Sequence, residues 1–439
     1  MFKERPPNRP LFIFLVKPCF TKPFKAIFFQ KPIFATMLFK DVIGQQEVKQ
    51  HLAEMVHQNR LSHALLFLGK EGSGALPLAL AFAQFLVCEK VNGKSESNQA
   101  GPSLFGFDEP SASVEKQQLW DSCGVCSACT KAQQLVHPDI HYSYPVVPKK
   151  SGDKPKSTDY ITEWREFVKQ FSYGNVYDWL QSINAENRQG NITAEECGDI
   201  IRQLSLKSFE SEYKILMMWM PEYLGKEGNK LLKLIEEPPP NTLFILVAES
   251  EEQILQTILS RTQLVKVPLL QEEEIEQALI ERNHTPAEQA RQVAGISEGN
   301  YHEALQLLQH AEEDWQGILR DWLNATLKAG PAAQVKWVDD ISKMGREKQK
   351  QFLRYFNHLL EESIRLRIIG MENVSISDND KDFALRLNKI AGVSQQQAII
   401  EELDKASYYI ERNANGKMLF HALTIKLLHI IQDKVVLSV

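Results

Sequence analysis

The most restrictive feature of this sequence is the segment from Ala64 to Val87. It opens with a short apolar run, Ala64–Leu68, whose length and composition predict a buried strand. Glycines follow at Gly69, Gly72 and Gly74, and the next stretch is strongly apolar with helical character. A strand, a glycine-rich turn and a helix in this order open a βαβ unit. The chain is therefore predicted to contain an α/β domain.

Two further apolar runs predict a parallel sheet. They are Tyr213–Trp219 and Thr242–Ala248, and the helical pattern of Lys230–Glu237 between them ends at three prolines. Near-continuous apolar strands that alternate with helices are typical of a parallel sheet covered by helices on both faces. After Pro268 the pattern is almost entirely helical, with a small block of helices followed by a larger one.

A chain of 439 residues requires several hydrophobic cores. We divide it into a disordered N-terminal extension (1–36), an α/β domain with insertions (37–267), a small helical domain (268–325) and a helical C-terminal domain (326–439). Residues 1–36 are aromatic, proline-rich and basic, and no small-residue cleavage site of a signal peptide follows their apolar run. We interpret them as an extension upstream of a true start at Met37. The alternative is a targeting or partner-binding arm.

The composition narrows the class of protein. Apolar residues make up 43% and charged residues 24% of the chain, which is ordinary for a globular protein, and no apolar stretch is long enough to span a membrane. The net charge of −6 lacks the positive excess that nucleic-acid-binding proteins usually carry. We therefore expect a cytoplasmic protein in which any DNA contact is local or made by partners. Residues 91–119 and 145–160 are predicted to be surface loops.

The glycine turn has the spacing of a phosphate-binding loop but lacks its two chemical side chains. Such a loop has the pattern Gly-x-x-x-x-Gly-Lys-Ser/Thr, because the lysine contacts the β and γ phosphates and the hydroxyl binds Mg²⁺. Here Ala75 and Leu76 occupy the lysine and hydroxyl positions. Lys70 lies too early in the turn to replace the lysine simply. Weak nucleotide binding without hydrolysis stays open at this point.

The strand that should carry the metal-binding carboxylate shows the same loss. An active P-loop ATPase ends this strand in an aspartate, usually followed by a catalytic glutamate. Here the strand continues into Met220 and Pro221, and only Glu222 is acidic. The two losses together predict no independent ATPase activity. The pair Glu236–Glu237 is interpreted as a helix end without a catalytic role, since adjacent residues on a helix point in different directions.

A tight group of cysteines predicts a metal site. Cys123, Cys126 and Cys129 place three thiolates on one compact turn, and sulfur ligands in tetrahedral geometry favour Zn²⁺. A fourth ligand is needed. Four protein ligands leave no open position for a substrate, so the predicted role is structural. The alternative is a set of buried cysteines without a metal ion.

Four motifs resemble a known family. They are Phe39–Gln45, Leu61–Phe67, Lys230–Pro239 and Ile258–Arg261. In this order they are similar to the bacterial clamp-loader ATPase family, and the broken phosphate loop is similar to that of its delta-prime branch. The resemblance is good over Phe39–Val267. It implies an α/β AAA+ P-loop domain with helices on both faces of a parallel sheet, then a small helical lid and an all-α C-terminal collar domain for oligomerisation.

The resemblance also implies site residues. In the family a Ser-Arg-Cys motif supplies an arginine finger to the ATP site of the neighbouring subunit, and Ser260–Thr262 matches it except at the third position. Alternatively, Arg261 is an ordinary surface arginine. An arginine of the family's lid is replaced by His302. The family's fourth cysteine ligand matches Cys88, with His137 as the other candidate.

The function that the resemblance implies is that of a hetero-oligomeric loader, which opens a ring-shaped sliding clamp and closes it on primed DNA. We expect this chain to be the non-hydrolysing member, with clamp-loader ATPase and delta subunits as partners, a structural zinc ion, and ATP only at the neighbouring subunit. Two other hypotheses remain. An ATP-hydrolysing motor subunit of the same loader is disfavoured by Ala75 and Leu76, and a zinc-dependent nucleic-acid-binding protein is disfavoured by the acidic net charge.

Overall fold

The computed structural model describes residues 38–93, 120–150, 152–185, 188–309, 314–370, 378–411 and 414–433. The predicted N-terminal extension (1–36) and most of the first predicted insertion, residues 94–119, lie outside the described residues. Within those ranges, the helices are too short or too polar to cross a lipid bilayer.

A five-stranded parallel sheet organises the N-terminal half of the chain. Its strands are β1 (Ala64–Leu68), β2 (Ile140–Ser143), β3 (Lys214–Trp219), β4 (Thr242–Ala248) and β5 (Gln263–Lys266), in the spatial order β2-β3-β4-β1-β5. The register aligns Leu65 of β1 with Ile245 of β4 and with Gln263 of β5. The carboxyl ends of the strands therefore meet at one edge, where β1 continues into the glycine turn.

Helices make up most of the remainder. Those of the α/β domain are α1 (Gln46–His57), α2 (Ala75–Val87), α3 (Ser127–Gln133), α4 (Ile161–Gln170), α5 (Val176–Ser182), α6 (Ala194–Leu204), α7 (Leu232–Glu236) and α8 (Gln256–Leu259). A small block contains α9 (Glu272–Asn283), α10 (Ala287–Ile296) and α11 (Tyr301–Gln309). The C-terminal helices are α12 (Trp315–Asn324), α13 (Pro331–Ile341), α14 (Arg346–Ile369), α15 (Asp378–Ile390), α16 (Val393–Glu411) and α17 (Gly416–Leu428).

Alternation along the strands separates two apolar layers. In β3 the side chains of Ile215, Met217 and Trp219 share a core with α2, whereas Leu216 and Met218 pack into the core on the opposite face. Every residue of α2 is buried, as expected for a helix that is apolar all round. The predicted fold class, a parallel sheet with helices on both faces followed by helical regions, is confirmed.

An aromatic cluster covers the carboxyl end of β3. Trp164 of α4 stacks on Tyr144 with ring centroids 4.1 Å apart and lies edge-on to Trp179 of α5 at 5.3 Å. Trp219, at the end of β3, adjoins Trp164 at 5.2 Å. The aromatic-rich segment 159–180 is thus a packing element of the α/β domain, because its rings close the core beyond β3.

The prediction that residues 145–160 form a surface loop is wrong in part. Val146, Val147 and Ser157 are buried. Val146 exchanges backbone hydrogen bonds with Asn191 at 3.0 Å, and the Tyr144 hydroxyl donates to the Ser157 carbonyl at 2.6 Å. The segment is partly buried because it packs over the aromatic cluster. Its turn-forming residues do not predict this tertiary contact.

The C-terminal helices form a core of their own. Trp322 of α12 stacks on Trp337 of α13 with centroids 4.8 Å apart, and both rings adjoin Phe352 of α14. The small block α9–α11 has a separate core, which includes Leu279 and Ala290. This packing assigns α12 to the C-terminal helices rather than to the small helical domain 268–325. The division between the two helical regions therefore lies before Trp315.

Candidate functional site

The glycine turn retains the backbone of a phosphate-binding loop. It begins where β1 ends, and the Gly69 N–H donates to the Ala248 carbonyl of β4 at 3.0 Å. Gly72 and Gly74 have φ values of 71° and 90°, in the left-handed region that favours glycine. Helix α2 begins directly after Gly74, so its first N–H groups lie at the turn. The backbone alone is compatible with phosphate binding.

The side chains at the start of α2 belong to the hydrophobic core instead. Ala75 and Leu76 are 7% and 5% exposed and pack with the apolar side chains beneath the turn. Neither carries a charge or a hydroxyl, so neither replaces the lysine or the Mg²⁺ ligand of a phosphate loop. Lys70 is exposed, and no hydrogen bond or ion pair within the described ranges fixes its side chain.

Side chains from neighbouring elements fill the space over the turn. A Cβ atom built on Gly72 would lie 1.8 Å from Oδ1 of Asn300, and the Tyr301 N–H donates to the Gly72 carbonyl at 3.3 Å. A Cβ atom built on Gly74 would lie 3.0 Å from the ring of Tyr173. The cavity that remains along the turn measures about 30 Å³, which holds about one water molecule. A triphosphate does not fit in this small cavity. A larger open cavity of about 670 Å³ adjoins Lys70, Glu71 and Asn300, but Gly72, Gly74 and the start of α2 do not line it.

A carboxylate lies within the turn itself. Oε1 of Glu71 is 3.8 Å from Nε2 of His302, and the same nitrogen is 3.2 Å from Oδ2 of Asp178. Burial by itself raises the pKa of Glu71, but the charges of His302 and of two cations on α14 outweigh burial and hold this pKa below its usual range. Glu71 is therefore ionised near neutral pH, and its negative charge repels a phosphate group.

The same contacts hold α11 in place. His302, which stands where the resemblance implies an arginine, ties α11 to α5 through Asp178. On the other side of α11, Glu303 forms an ion pair with Arg354 of α14. Glu303 is buried, which raises its pKa, and the pairing with Arg354 opposes this rise. The small block is thus fixed over the turn by contacts within the chain, to the α/β domain and to the C-terminal helices.

The end of β3 also lacks a metal-binding carboxylate. Trp219 lies in the aromatic cluster, and Met220 is 5% exposed. Glu222 accepts hydrogen bonds from the Glu249 and Ser250 N–H groups at 2.7 and 3.0 Å. Burial raises the pKa of Glu222. Its carboxylate therefore fixes the chain that follows β4, which is a structural role.

Four cysteines lie together at the far end of α2. They are Cys88, Cys123, Cys126 and Cys129, and their Sγ atoms all lie within 4.8 Å of one another. The Sγ atoms of Cys123 and Cys129 are 3.9 Å apart. A metal ion with metal–sulfur bonds of about 2.3 Å, as for Zn²⁺, holds tetrahedral sulfur ligands about 3.8 Å apart. The cluster could therefore hold such an ion.

Backbone hydrogen bonds support the sulfur atoms of the cluster. The N–H groups of Cys123, Cys126 and Cys129 donate to the sulfurs of Cys88, Cys123 and Cys126 at 3.3, 3.4 and 3.4 Å. A hydrogen bond with the Cys129 thiol lowers the pKa of Cys88 to about 5. The same hydrogen bond raises the pKa of Cys129, and burial raises the pKa of Cys126, so of these three cysteines Cys88 is the one favoured as a thiolate. A bound metal ion would supply the positive charge that stabilises the other ligands as thiolates.

The structure brings Cys88, and not His137, to the other three cysteines. The His137 ring is buried outside the sulfur group, and its Nδ1 accepts a hydrogen bond from the Asp139 N–H at 3.2 Å. Helix α2, with 13 residues, separates the cluster from the glycine turn by about 20 Å. A metal ion at the cluster would be remote from the turn, and four sulfur ligands would leave no coordination position open.

Arg261 lies between α8 and β5, with its side chain 30% exposed. Its Nη2 donates to Oε1 of Glu236 at 2.6 Å. Its Nη1 donates to the Thr257 carbonyl at 2.8 Å and to the Ser260 hydroxyl at 3.1 Å. The guanidinium is therefore ordered by α7 and α8 while part of it faces solvent.

Arg261 is too far from the glycine turn of its own chain to act there. The register pairs Gln263 with Leu65, which places Arg261 near the level of His63, before the start of β1. Gly69 follows the other end of that strand, about 20 Å away at the rise of an extended chain. An anion that binds Arg261 must therefore belong to another molecule or to a distant part of the surface.

A comparison with protein families shows to which family this chain belongs. The family model described as DNA polymerase III, delta subunit matches residues 44–103 and 110–271, which is just over half of the chain. The chain belongs to the DNA polymerase III delta subunit family. This membership confirms the resemblance seen in the sequence motifs, and the parallel sheet of the α/β domain is the fold class that the resemblance implies.

Curated relatives agree with the family. DNA polymerase III subunit delta' of Bacillus subtilis is 26% identical over 269 residues, which are 61% of this chain and 60% of that protein. Subunit tau of the same bacterium is 24% identical over 341 residues, 75% of this chain and 47% of the relative. The tau/gamma subunit of Haemophilus influenzae is 24% identical over 279 residues, 62% of this chain and 30% of the relative. The chain spans less than two thirds of the length of each relative.

Two solved structures align over much of the family member described here. A gamma subunit-related protein of DNA polymerase III from Thermotoga maritima aligns with 87% of this chain and 98% of its own, at 13% identity and a TM-score of 0.33. A Thermotoga maritima RuvB variant aligns with 64% of this chain and 65% of its own, at 12% identity and a TM-score of 0.34. Scores this low say nothing about function.

The sequence located the separate parts of the site but not the contacts between them. It missed the roles of Glu71, Asp178 and Asn300 at the turn, and the contact of Glu236 with Arg261. These partners are distant in sequence, so no local spacing signals them. Glu71 alone offered a signal, because an acidic residue inside a glycine turn opposes phosphate binding.

We expect that restoring the two missing side chains does not restore nucleotide binding. In the variant Ala75→Lys/Leu76→Thr, Asn300 and Tyr173 still fill the space over the turn, so titration with a fluorescent ATP analogue will show no saturable binding below millimolar concentration. Adding Glu71→Gln and Asn300→Ala removes the repelling charge and the blocking side chain, and measurable binding is expected. Micromolar binding by the first variant would show that the space is not closed.

Proposed function

We propose that this chain is a non-hydrolysing, delta-prime-like subunit of the DNA polymerase III clamp loader. Its partners would be the clamp-loader ATPase and delta subunits, and through the complex it would act on the sliding clamp and primed DNA. Family membership and the matches to delta' and tau subunits support this proposal. The observation that carries it is the combination of a filled phosphate loop with an ordered arginine at the opposite edge of the sheet.

The chain would not bind or hydrolyse ATP by itself. Ala75 and Leu76 replace the chemical residues, Asn300 occupies the space over Gly72, and Glu71 places a negative charge in the turn. These features also weigh against the alternative of an ATP-hydrolysing motor subunit. Hydrolysis by such a subunit requires a lysine, a Mg²⁺ ligand and a metal-binding carboxylate at this place.

Arg261 would serve the ATP site of an adjacent subunit. A guanidinium presented in trans stabilises the negative charge that develops on the transferred phosphoryl group. Arg261 has the properties that this role requires, since its guanidinium is held beside α8, is partly exposed, and is remote from its own glycine turn. In this proposal the chain supplies an electrostatic group and no nucleophile, base or metal ligand of the reaction.

The cysteine cluster would hold a structural zinc ion. Four sulfur donors that all lie within 4.8 Å of one another favour Zn²⁺ over harder cations. The ion would bind the end of α2 to α3 and so stabilise the connection between β1 and β2. A role in binding nucleic acid is not favoured, because Lys131, beside the cluster, pairs with Glu210 at 2.6 Å, and Glu89 places a carboxylate at the start of α3.

We expect Arg261→Ala to impair the assembled loader at one ATP site. Loss of an arginine finger slows phosphoryl transfer by about 10³–10⁵ at the site that it serves. In rapid-quench measurements of the reconstituted complex, the amplitude of the fast phase of ATP hydrolysis is expected to fall by the contribution of that one site. Arg291→Ala, at an exposed arginine on α10, is the matched control. An unchanged fast phase in Arg261→Ala would contradict the proposal.

We expect the chain to bind one zinc ion tightly. Cys126→Ser removes one ligand, so metal analysis of the purified chain is expected to show loss of zinc and a lower unfolding temperature, since a structural metal ion contributes its binding free energy to folding. Cys197→Ser, at a buried cysteine outside the cluster, should retain the metal. Equal zinc content in both variants would refute a zinc site at the cluster.

A further inference from the structure

We propose that Glu236 is a positioning residue for Arg261. It would hold the guanidinium in a docked state and release it when a phosphate of an adjacent subunit's nucleotide arrives. This role rests on the proposed function, because it requires that Arg261 serve a neighbouring ATP site. The contact joins the end of α7 to the residue that follows α8, two helices that pack against each other at the edge of the α/β domain.

The docked guanidinium has few donors left for another anion. An arginine carries five N–H groups. Those of Nη1 go to the Thr257 carbonyl and the Ser260 hydroxyl, one of Nη2 goes to Glu236, and Nε is buried without an acceptor in the described part of the chain. A single N–H of Nη2 remains. A phosphate can therefore not be bound at two points until the contact with Glu236 is exchanged.

The position of Glu236 explains why the contact forms. Glu236 is the last residue of α7, where a carboxylate is unfavourable because the carbonyl groups of the last helical turn carry partial negative charge. Arg261 supplies the compensating positive charge. Glu237, the next residue, lies beyond the helix, and its side chain forms no hydrogen bond or ion pair within the ranges that the structure describes. Of the two neighbouring glutamates, Glu236 contacts the arginine.

The ion pair is weak enough to exchange. The side chains of Arg261 and Glu236 are 30% and 51% exposed, and ion pairs at such positions are screened by water and salt. A terminal phosphate carries more negative charge than a carboxylate and accepts two parallel N–H donors from one guanidinium. Glu236 would therefore restrain Arg261 while no phosphate is present and yield to a phosphate once the neighbouring nucleotide is in place.

The experiment measures steady-state ATP hydrolysis by the reconstituted loader with four variants of the full chain. They are Glu236→Gln, Glu237→Gln, Arg261→Ala and the double variant Glu236→Gln/Arg261→Ala. Glutamine keeps the size of Glu236 and removes its charge. We expect Glu236→Gln to raise kcat about two- to fivefold, with KM for ATP unchanged. This factor corresponds to the free energy of an exposed ion pair. A residue that only supports the fold would not raise kcat.

The remaining variants separate the possible outcomes. Glu237→Gln is expected to match the wild type, and Glu236→Gln is expected to have no effect when Arg261 is already alanine. An unchanged or lower kcat for Glu236→Gln, with Arg261→Ala still impaired, overturns the docking role and leaves the proposed function standing. An unimpaired Arg261→Ala overturns the proposed function and the docking role together. Unfolding temperatures establish that each variant is folded.

Discussion

The site depends on the way α11 is seated on the glycine turn. Asn300 lies against Gly72, the Tyr301 N–H bonds to the Gly72 carbonyl, and His302 lies between Glu71 and Asp178. In a phosphate loop that binds nucleotide, phosphate groups occupy this space and accept hydrogen bonds from the N–H groups of the turn and helix. In this chain, polar side chains of the chain itself take that place.

The contact of α11 with the glycine turn limits the conformational change that a nucleotide can cause in this chain. A ligand shifts a conformational equilibrium only to the extent that it binds one state better than another. Because Asn300 and the small cavity at the glycines leave no room for phosphates at the N–H groups of the turn, we expect no such preference of ATP for one state at this place. The ion pair of Glu303 with Arg354 carries the same restraint on to α14. Such a restraint agrees with the role that we propose, in which the chain presents Arg261 to the ATP site of an adjacent subunit.

Much of this arrangement could be predicted from the sequence, because many of its features are formed by residues that lie close together along the chain. The strand, turn and helix from Ala64 to Val87, the loss of chemistry at Ala75 and Leu76, and the spacing from Cys123 to Cys129 are all features of neighbouring residues. Cys88 was identified through the family resemblance, and the structure brings it to the other cysteines. The contacts of Glu71 with His302 and of Glu236 with Arg261 join distant segments. Packing decides such contacts, as it decides that α12 joins the C-terminal core.

The most direct measurement is amide hydrogen exchange of the isolated full chain at Tyr301, with and without ATP and Mg²⁺. If the small helical block is seated on the glycine turn by the chain's own contacts, the Tyr301 N–H, which donates to the Gly72 carbonyl, exchanges slowly in both conditions and at the same rate. Fast exchange without nucleotide that slows when ATP and Mg²⁺ are added would show that the block closes only on a bound nucleotide, which would contradict a permanently filled site.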